Sequence, residues 1–255
     1  MTNATTTTVA RGEAPWVRQN KVGRRWVYLW HWPIRAMHWI STVCVTVLVV
    51  TGLFIGRPYF LTSTGNTPAF LMGWMRFFHF LAAAIFVATA MVRVYWLFIG
   101  NKFESFSSLI PWRTTQWKNM AKVLKKYLLI EPERAPHYLG HNPLQQATYS
   151  LLYLLAIVQI VTGFAMYGLS NPGGLIYTLF AWVVPFFGGA QIVRLLHHVL
   201  TWFFVIFLPV HIYFTVRADA LHREGRISSM VSGGRFVRDD LPYVDEHKLE
   251  QPYEE

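Results

Sequence analysis

Four long apolar stretches, separated by polar and basic segments, dominate the hydropathy pattern of the chain. They cover about residues 36–57, 71–99, 146–169 and 192–216. A helix needs about 20 apolar residues to cross roughly 30 Å of hydrocarbon, and each stretch is long enough to do so. The pattern predicts an all-α integral membrane protein, a bundle of four transmembrane helices.

A fifth apolar stretch, GGLIYTLFAWVVPFFGGA at 173–190, is shorter than the others. Paired glycines bound it on both sides, and Pro185 interrupts it. These features are typical of a segment that does not cross the membrane. We interpret it as an interfacial or re-entrant segment between the third and fourth helices.

Charge orients the bundle. Only 14% of the 255 residues are charged, and the net charge is +10. Lys and Arg cluster before the first helix, between the second and third, and after the fourth, whereas 58–75 and 170–190 contain neither. With four spans the basic segments share one side, so the positive-inside rule predicts a multi-pass protein of a bacterial inner membrane with both termini cytoplasmic. Because the basic residues flank lipid-facing helices, we expect no nucleic-acid partner.

Histidines lie inside or beside these spans at two depths. His38 and His211 are predicted toward the cytoplasm, and His79, His197 and His198 toward the outer face. A lone intramembrane histidine is commonly a hydrogen-bonded packing residue. Five of them near four helices indicate a functional site, because imidazole in hydrocarbon is costly.

Helical angle separates the members of the His-His doublet. The fourteen residues from His197 to His211 fall about 40° short of four full turns, so both share one face, roughly 21 Å apart along the axis. His198 lies about 140° around the helix from His211. His197 is therefore predicted to point inward, and His198 to point elsewhere, away from the site.

Two inward imidazoles at each of two levels suit two haems b. We predict that His79 and His197 bind the outer haem iron and that His38 and His211 bind the inner one. Zinc requires three or four ligands, and nearby residues do not complete such a set. Bis-histidine ligation leaves no open position on iron, which favours electron transfer. Non-covalent binding is expected, since the chain lacks a C-x-x-C-H motif.

The fourteen-residue interval adds three candidates for haem packing. Gly52 follows His38 by fourteen residues, and the similar stretches VTGLFIG and VTGFAMYG make Gly163 its counterpart in the third span. Arg93 follows His79 by fourteen residues and suits a haem propionate. Ordinary helix packing for the glycines and a snorkelling arginine are the alternatives.

Three motifs carry a resemblance to a known family. YLWHWPIRAMHWI at 28–40, GHNPLQ at 140–145 and RLLHHVLTWFFVIFLPVHIYF at 194–214 resemble the b-type cytochrome subunit of membrane-bound nickel–iron hydrogenases. The resemblance covers roughly residues 26–220. That family belongs to a broader four-helix dihaem group that includes the membrane subunits of formate dehydrogenase and thiosulfate reductase.

The resemblance implies a membrane anchor that receives electrons from an iron–sulfur cluster of the hydrogenase small subunit on the periplasmic side. Electrons then pass through two haems b to membrane quinone. Its ligand positions fall on His38, His79, His197 and His211. It covers a dihaem domain at 26–220. The Thr- and Arg-rich residues 1–25 before it are expected to form a mobile tail, and 221–255 a C-terminal tail, both cytoplasmic by the charge argument.

The quinone site is expected near the inner haem. The segment 134–149 brings His137, His141, Asn142 and Gln145 to the start of the third span, where they suit a quinone carbonyl, and a histidine there suits the accompanying proton. The alternative for His141 and Asn142 is capping of the helix that begins at Pro143.

Several functions remain open from the residues alone. The chain has a single cysteine, so the thiolate pairs that hold nickel and iron are absent and hydrogen chemistry belongs to the hydrogenase large and small subunits. The main expectation is a non-catalytic electron-transfer subunit of a hydrogen:quinone oxidoreductase. The alternatives are the same module in a formate dehydrogenase or thiosulfate reductase complex, and a haem-free transporter or scaffold.

Overall fold

The computed structural model describes residues 23–58, 70–128 and 135–249. In chain order the elements are β1 (Arg24–Tyr28), α1 (Trp32–Gly56), α2 (Leu71–Ile99), α3 (Thr114–Tyr127), α4 (Pro143–Gly168), α5 (Leu175–Phe180), α6 (Val183–Phe186), α7 (Ala190–His222), α8 (Arg226–Ser232) and β2 (Gly234–Arg238). Single 3₁₀ turns lie at Phe106–Ser108 and Glu246–Lys248. The described chain is therefore mainly helical.

Helices α1, α2, α4 and α7 are long and apolar enough to cross a membrane, which confirms the four predicted spans. Helix α1 packs against α2 and α4 against α7, while α1 also contacts α7. Their outer faces carry many exposed large apolar side chains. That distribution is typical of a bundle whose solvent is lipid.

The helices extend beyond the predicted spans. Helix α1 begins at Trp32 with Pro33 in its first turn, and α7 continues to His222, where Arg223 has a left-handed φ of 51°. Helix α7 has 33 residues, and at 1.5 Å per residue it is about 50 Å long, more than the hydrocarbon thickness. The prediction counted apolar residues, whereas a helix continues into the polar interface until its backbone turns.

The segment 173–190 forms the two short helices α5 and α6 and lies against α4 and α7. Val183 is fully buried in a cluster with Ala165 and Val193. Gly188 and Gly189 have positive φ values of 85° and 124° and turn the chain into α7. Six and four residues of helix are too few to span a bilayer. Its interfacial or re-entrant location stays a prediction.

A small cap closes the opposite end of the bundle. Strands β1 and β2 pair antiparallel, with Trp26 opposite Phe236. An apolar cluster beneath them joins the N-terminal strand, the segment after α2, the segment before α4 and the C-terminal segment; it contains Val27, Leu29, Trp30, Phe103, Leu139, Val237 and Tyr243. The described parts of the three basic segments therefore meet at one end, as expected for four spans.

Parts of the two predicted tails are folded into this cap. Strand β1 begins at Arg24, inside the range predicted as a mobile tail, and the rest of that range up to residue 22 lies outside the described residues. The range 221–249 is folded, as the end of α7, α8, β2 and the turns that follow. These short polar elements carry little hydropathy signal, and they are stabilised by pairing with distant parts of the chain.

Candidate functional site: paired histidines at two levels

His38 on α1 and His211 on α7 meet inside the bundle, toward the capped end. Their ring centroids are 6.5 Å apart and the rings are inclined by 51°. When two imidazoles bind one metal ion from opposite sides, with metal–nitrogen bonds of about 2 Å, their ring centroids lie about 6 Å apart. The separation fits that arrangement. Nδ1 of His38 is buried and has no hydrogen-bond partner within the described ranges.

His79 on α2 and His197 on α7 form a second pair toward the other end, close enough to interact electrostatically. Nδ1 of His79 lies 2.9 Å from Oγ1 of Thr51 on α1. Nδ1 of His197 lies 2.9 Å from Oγ1 of Thr162 on α4. Both threonines are buried. Each outer histidine is therefore held by a hydroxyl group from a neighbouring helix.

Glycines beside these threonines leave room for the imidazoles. A Cβ atom at Gly52 would lie 3.1 Å from Cε1 of His79, and one at Gly163 would lie 3.4 Å from Cε1 of His197. The two predicted packing glycines thus lie against the outer histidines. At Gly52 even the Cβ of alanine would press on the ring, and at Gly163 a larger side chain would.

His198 points to a different neighbour from His197. A Cβ atom at Gly56 on α1 would lie 3.1 Å from Nδ1 of His198. His197 contacts α4 instead, through Thr162. Adjacent helical residues differ by about 100° in direction, which accounts for the two different partners.

Arg93, predicted near the inner level, is partly engaged within the protein. Its Nη2 donates to the carbonyl oxygen of Glu104 at 3.0 Å, and its Nε donates to the hydroxyl of Tyr153 at 3.1 Å. Its Nη1 is buried without a hydrogen-bond partner in the described part of the chain, as is Nε of Arg35, one turn before His38. Buried guanidinium donors of this kind suit an anionic carboxylate, such as a haem propionate.

The donor chemistry fits haem better than an isolated metal ion. Among the residues that the structure describes, no three His, Cys, Asp or Glu side chains form a group able to hold a metal. A porphyrin supplies the other nitrogen ligands and needs only one imidazole on each face. Two facing histidines at one level match that requirement.

His141 occupies a half-buried position just before α4. Its ring lies between Trp30, at a centroid distance of 4.9 Å, and Tyr149, at 4.7 Å. Burial, aided by the charges of Arg93 and Lys248, lowers the pKa of His141 to about 3. The imidazole is therefore neutral at physiological pH. It can donate or accept a hydrogen bond, and the proton-carrying role expected of a histidine in this segment stays a prediction.

His137 contacts the C-terminal segment. It forms an isolated parallel bridge with Tyr243, and its carbonyl oxygen accepts from the backbone N–H of Val244 at 3.0 Å. Together with Asn119 and Lys122 it lines an open cavity of about 430 Å³. Its partners are thus different from those of His141.

Asn142 and Gln145 form a reciprocal capping box at the start of α4. Oδ1 of Asn142 accepts from the backbone N–H of Gln145, and Oε1 of Gln145 accepts from the backbone N–H of Asn142, both at 2.9 Å. Pro143 occupies the first turn, where its missing N–H costs nothing. The amide oxygen atoms of both residues are therefore used inside the protein.

The sequence interpretation missed the two threonines that hold the outer histidines. Their signal was present as the repeat Val-Thr-Gly at 50–52 and 161–163, in which only the glycines were singled out. A threonine inside an apolar helix most often bonds its own backbone. Its contact with a histidine of another helix depends on how the helices pack.

Comparisons with known proteins agree with this architecture. A family model described as "Prokaryotic cytochrome b561" matches residues 29–233. A protein of Azotobacter vinelandii named "Probable Ni/Fe-hydrogenase B-type cytochrome subunit" is 39% identical over 85% of this chain and 91% of its own length.

Two further relatives have similar names. A Cupriavidus necator protein, also named "Probable Ni/Fe-hydrogenase B-type cytochrome subunit", is 38% identical over 83% of this chain and 88% of its own. An Escherichia coli K12 protein, "Probable Ni/Fe-hydrogenase 1 B-type cytochrome subunit", is 33% identical over 82% of this chain and 90% of its own. The chain therefore belongs to the prokaryotic cytochrome b561 family, whose b-type cytochromes bind haem b and transfer electrons.

Proposed function

We propose that the chain is the membrane cytochrome subunit of a periplasm-facing nickel–iron hydrogenase and passes electrons through two haems b to membrane quinone. The observation that carries the proposal is the arrangement of four histidines as two pairs at two depths of one four-helix bundle. The names of the relatives supply the partner: each is a B-type cytochrome subunit of a nickel–iron hydrogenase.

In this proposal His79 and His197 hold the outer haem, and His38 and His211 hold the inner one. Bound haem would supply one-electron transfer, with no iron position open to oxygen. The protein contributes the ligands, glycine surfaces at Gly52 and Gly163, and buried guanidinium groups for the propionates. The roughly 21 Å between His197 and His211 along α7 gives the depth that the two levels cover.

The distribution of charge indicates which end of the bundle faces the cytoplasm. The capped end carries the three basic segments, so the positive-inside rule assigns it to the cytoplasm of the bacterial inner membrane, with both termini there. The other end then faces the periplasm. The segment 170–191, which lacks Lys and Arg and is rich in apolar residues, is suited to contact the hydrogenase small subunit, as is 58–75, most of which lies outside the described residues.

For quinone we propose the region beside His141. A neutral, half-buried imidazole in contact with two aromatic rings can donate to a quinone carbonyl, and electrostatic interactions couple it to Arg93 and His211 at the inner level. Asn142 and Gln145 support this region as helix caps. His137 lies on the adjacent cytoplasmic cavity, where solvent can supply protons.

The haem assignment is tested by counting haem in single variants of the purified full-length chain. His38→Ala, His79→Ala, His197→Ala and His211→Ala should each lose one of two haems. The matched control is His198→Ala, which removes the neighbouring imidazole of the doublet and should retain both. The measurement is pyridine haemochrome per chain with the reduced optical spectrum. Absence of reduced b-type bands in the wild type would favour a haem-free transporter or scaffold.

The quinone and partner proposals have separate tests. His141→Phe keeps a ring but removes the hydrogen bond, so hydrogen-driven quinone reduction should slow at least tenfold while haem reduction by the partner persists. The rate of quinone reduction in His141→Phe is compared with that in His137→Phe, which removes a histidine at the adjacent cytoplasmic cavity. Normal turnover in His141→Phe would locate quinone elsewhere. Copurification with a molybdenum enzyme in place of a nickel–iron dimer would point to a formate dehydrogenase or thiosulfate reductase complex.

A further inference from the structure

The hydroxyl groups beside the outer histidines are already committed as donors. Oγ1 of Thr51 lies 2.6 Å from the carbonyl oxygen of Val47, one turn earlier in α1. Oγ1 of Thr162 lies 2.7 Å from the carbonyl oxygen of Val158, one turn earlier in α4. A hydroxyl group has one proton to donate, and a helix carbonyl within this distance is its natural acceptor. Toward the histidine, each Oγ1 can therefore offer only a lone pair, as a hydrogen-bond acceptor.

That lone pair determines the tautomer of each outer histidine. With its proton directed to Val47, Oγ1 of Thr51 accepts at the 2.9 Å contact, so Nδ1 of His79 carries the ring proton, for which the backbone of Leu48 offers a second acceptor. The same reasoning applies to Thr162 and Nδ1 of His197, also at 2.9 Å. In a neutral imidazole the other nitrogen, Nε2, is then unprotonated and free to bind a metal.

We infer that Thr51 and Thr162 are positioning residues that set the tautomer, ring orientation and electron donation of the outer haem ligands. The inference rests on the proposed function, in which His79 and His197 bind haem iron. A hydrogen bond from the distal N–H of a metal-bound histidine orients the ring and increases its basicity. More basic ligands stabilise ferric iron relative to ferrous iron.

The same arrangement of threonine, glycine and histidine occurs twice. The sequence Val-Thr-Gly occurs at 50–52 on α1 and at 161–163 on α4. In both copies the threonine holds Nδ1 and the next residue, glycine, leaves space at Cε1 of the same ring. Thr51 is 5% exposed and Thr162 is 0% exposed, so water does not compete for either bond. Helices α1 and α4 thus each place a threonine hydroxyl and a glycine against one of the two outer histidines.

Within the described residues, the inner histidines have no such contact with a threonine hydroxyl. Nδ1 of His38 is buried with no partner, and no hydrogen bond from the described residues reaches the ring of His211. The threonines near these residues bond to backbone instead: Thr42 donates to the carbonyl oxygen of His38 at 2.8 Å, and Thr215 to that of His211 at 2.7 Å. Loss of a threonine hydroxyl at 51 or 162 should therefore affect one haem.

The test uses Thr51→Val and Thr162→Val, which keep the shape of the side chain and remove the oxygen. Thr51→Ser and Thr162→Ser restore it. The control is Thr46→Val, an exposed threonine of α1 whose Oγ1 donates only to the carbonyl oxygen of Thr42, at 2.8 Å. The samples are the purified full-length chain with haem bound, and the readouts are optical redox titration and the low-temperature EPR spectrum of ferric haem.

We expect both valine variants to raise the midpoint potential of the outer haem and to shift or broaden its low-spin EPR signal. The inner haem should be unchanged, and the serine variants should return toward wild type. The outer haem is identified as the component missing in His197→Ala. Loss of the outer haem in the valine variants but not the serine variants also supports the inference.

Two results would overturn it. Valine variants with unchanged potential and EPR signal would show that the hydroxyl groups do not act on the ligands. An equal change at both haems, or the same change in Thr46→Val, would indicate a general effect on the bundle. If His79→Ala or His197→Ala kept both haems, the proposed function itself would fail, so the two failures are distinguishable.

Discussion

His141 shows how strongly the protonation of one half-buried residue departs from its behaviour in water. Its ring is enclosed by Trp30 and Tyr149, and the cationic groups of Arg93, Lys248 and Arg235 are close enough to oppose a further positive charge. Protonation would place an unpaired cation in this environment, and this lowers the pKa of His141 to about 3. Between about pH 3 and pH 6.5 the folded protein therefore keeps His141 neutral, whereas the unfolded chain protonates it.

This difference predicts a pH-dependence of stability. Because the folded pKa lies below the unfolded value near 6.5, unfolding takes up a proton, and stability is lost as pH falls from about 6.5 toward about 3. Between pH 7.5 and 5.5 this group should remove about 1.4 kcal/mol from the free energy of unfolding. His141→Phe should remove that part of the pH-dependence.

The measurement is the unfolding free energy of the two proteins in detergent at both pH values, compared as a difference. His247→Gln, at an exposed position of the C-terminal segment, is the control and should behave as wild type. Equal pH-dependence in wild type and His141→Phe would contradict the assigned neutral state.

At the scale of elements, the start of α4 is specified by three residues within one four-residue stretch. The side chain of Asn142 caps the helix, Pro143 takes the first turn, and Gln145 closes the capping box. Nδ2 of Asn142 also reaches the hydroxyl of Tyr127 at the end of α3, at 3.3 Å. The cap therefore sets both the first residue of α4 and the contact between α3 and α4.

We predict that Asn142→Ala lowers the free energy of unfolding by about 1 kcal/mol, because a backbone N–H of the first turn loses its acceptor. Asn142→Asp retains the acceptor oxygen and should stay near wild type. Thermal unfolding of the haem-loaded protein measures both. If Asn142→Asp instead slowed quinone reduction at unchanged stability, the amide would have a role in quinone binding beyond the cap.

At the scale of the whole molecule, a buried ion pair ties the C-terminal segment to the rest of the cap. Nη1 of Arg235 on β2 lies 3.4 Å from Oε2 of Glu224, with side chains 5% and 3% exposed. Nη2 of Arg235 donates to the carbonyl oxygen of Tyr138 at 2.7 Å. Burial and the nearby Arg226 lower the pKa of Arg235 to about 10, while Glu224 opposes that shift.

Glu224→Gln should therefore destabilise the protein by about 3 kcal/mol, since it leaves the buried Arg235 charge without this carboxylate and also removes the partner of Arg226, whose Nη2 lies 3.1 Å from Oε2 of Glu224. Asp240→Asn is the control, because Asp240 pairs with Arg238 at the surface and its loss should change stability little. Unfolding followed by near-ultraviolet circular dichroism measures both variants. Equal effects would mean that the buried pair is not what holds the C-terminal segment in place.

What the sequence by itself determines are local properties of single helices. Hydrophobic length predicts α1, α2, α4 and α7, and the turn angle along α7 separates His197 from His198. The Asn142-Pro143 pair was weighed as a cap because capping involves neighbours in sequence. The distribution of Lys and Arg predicts which segments share a side, and the cap at one end of the bundle agrees with it.

Only the tertiary structure decided which residues meet across helices. Thr51 reaches His79, and Trp30 and Tyr149 enclose His141, because α1, α2 and α4 pack at particular rotations that no single-helix periodicity encodes. The pairing of β1 with β2 joins segments about 200 residues apart in sequence, by backbone hydrogen bonds that carry little residue preference. Contacts between distant segments depend on the packing of the whole chain, so the positions of the histidine pairs could be predicted while the groups that hold them could not.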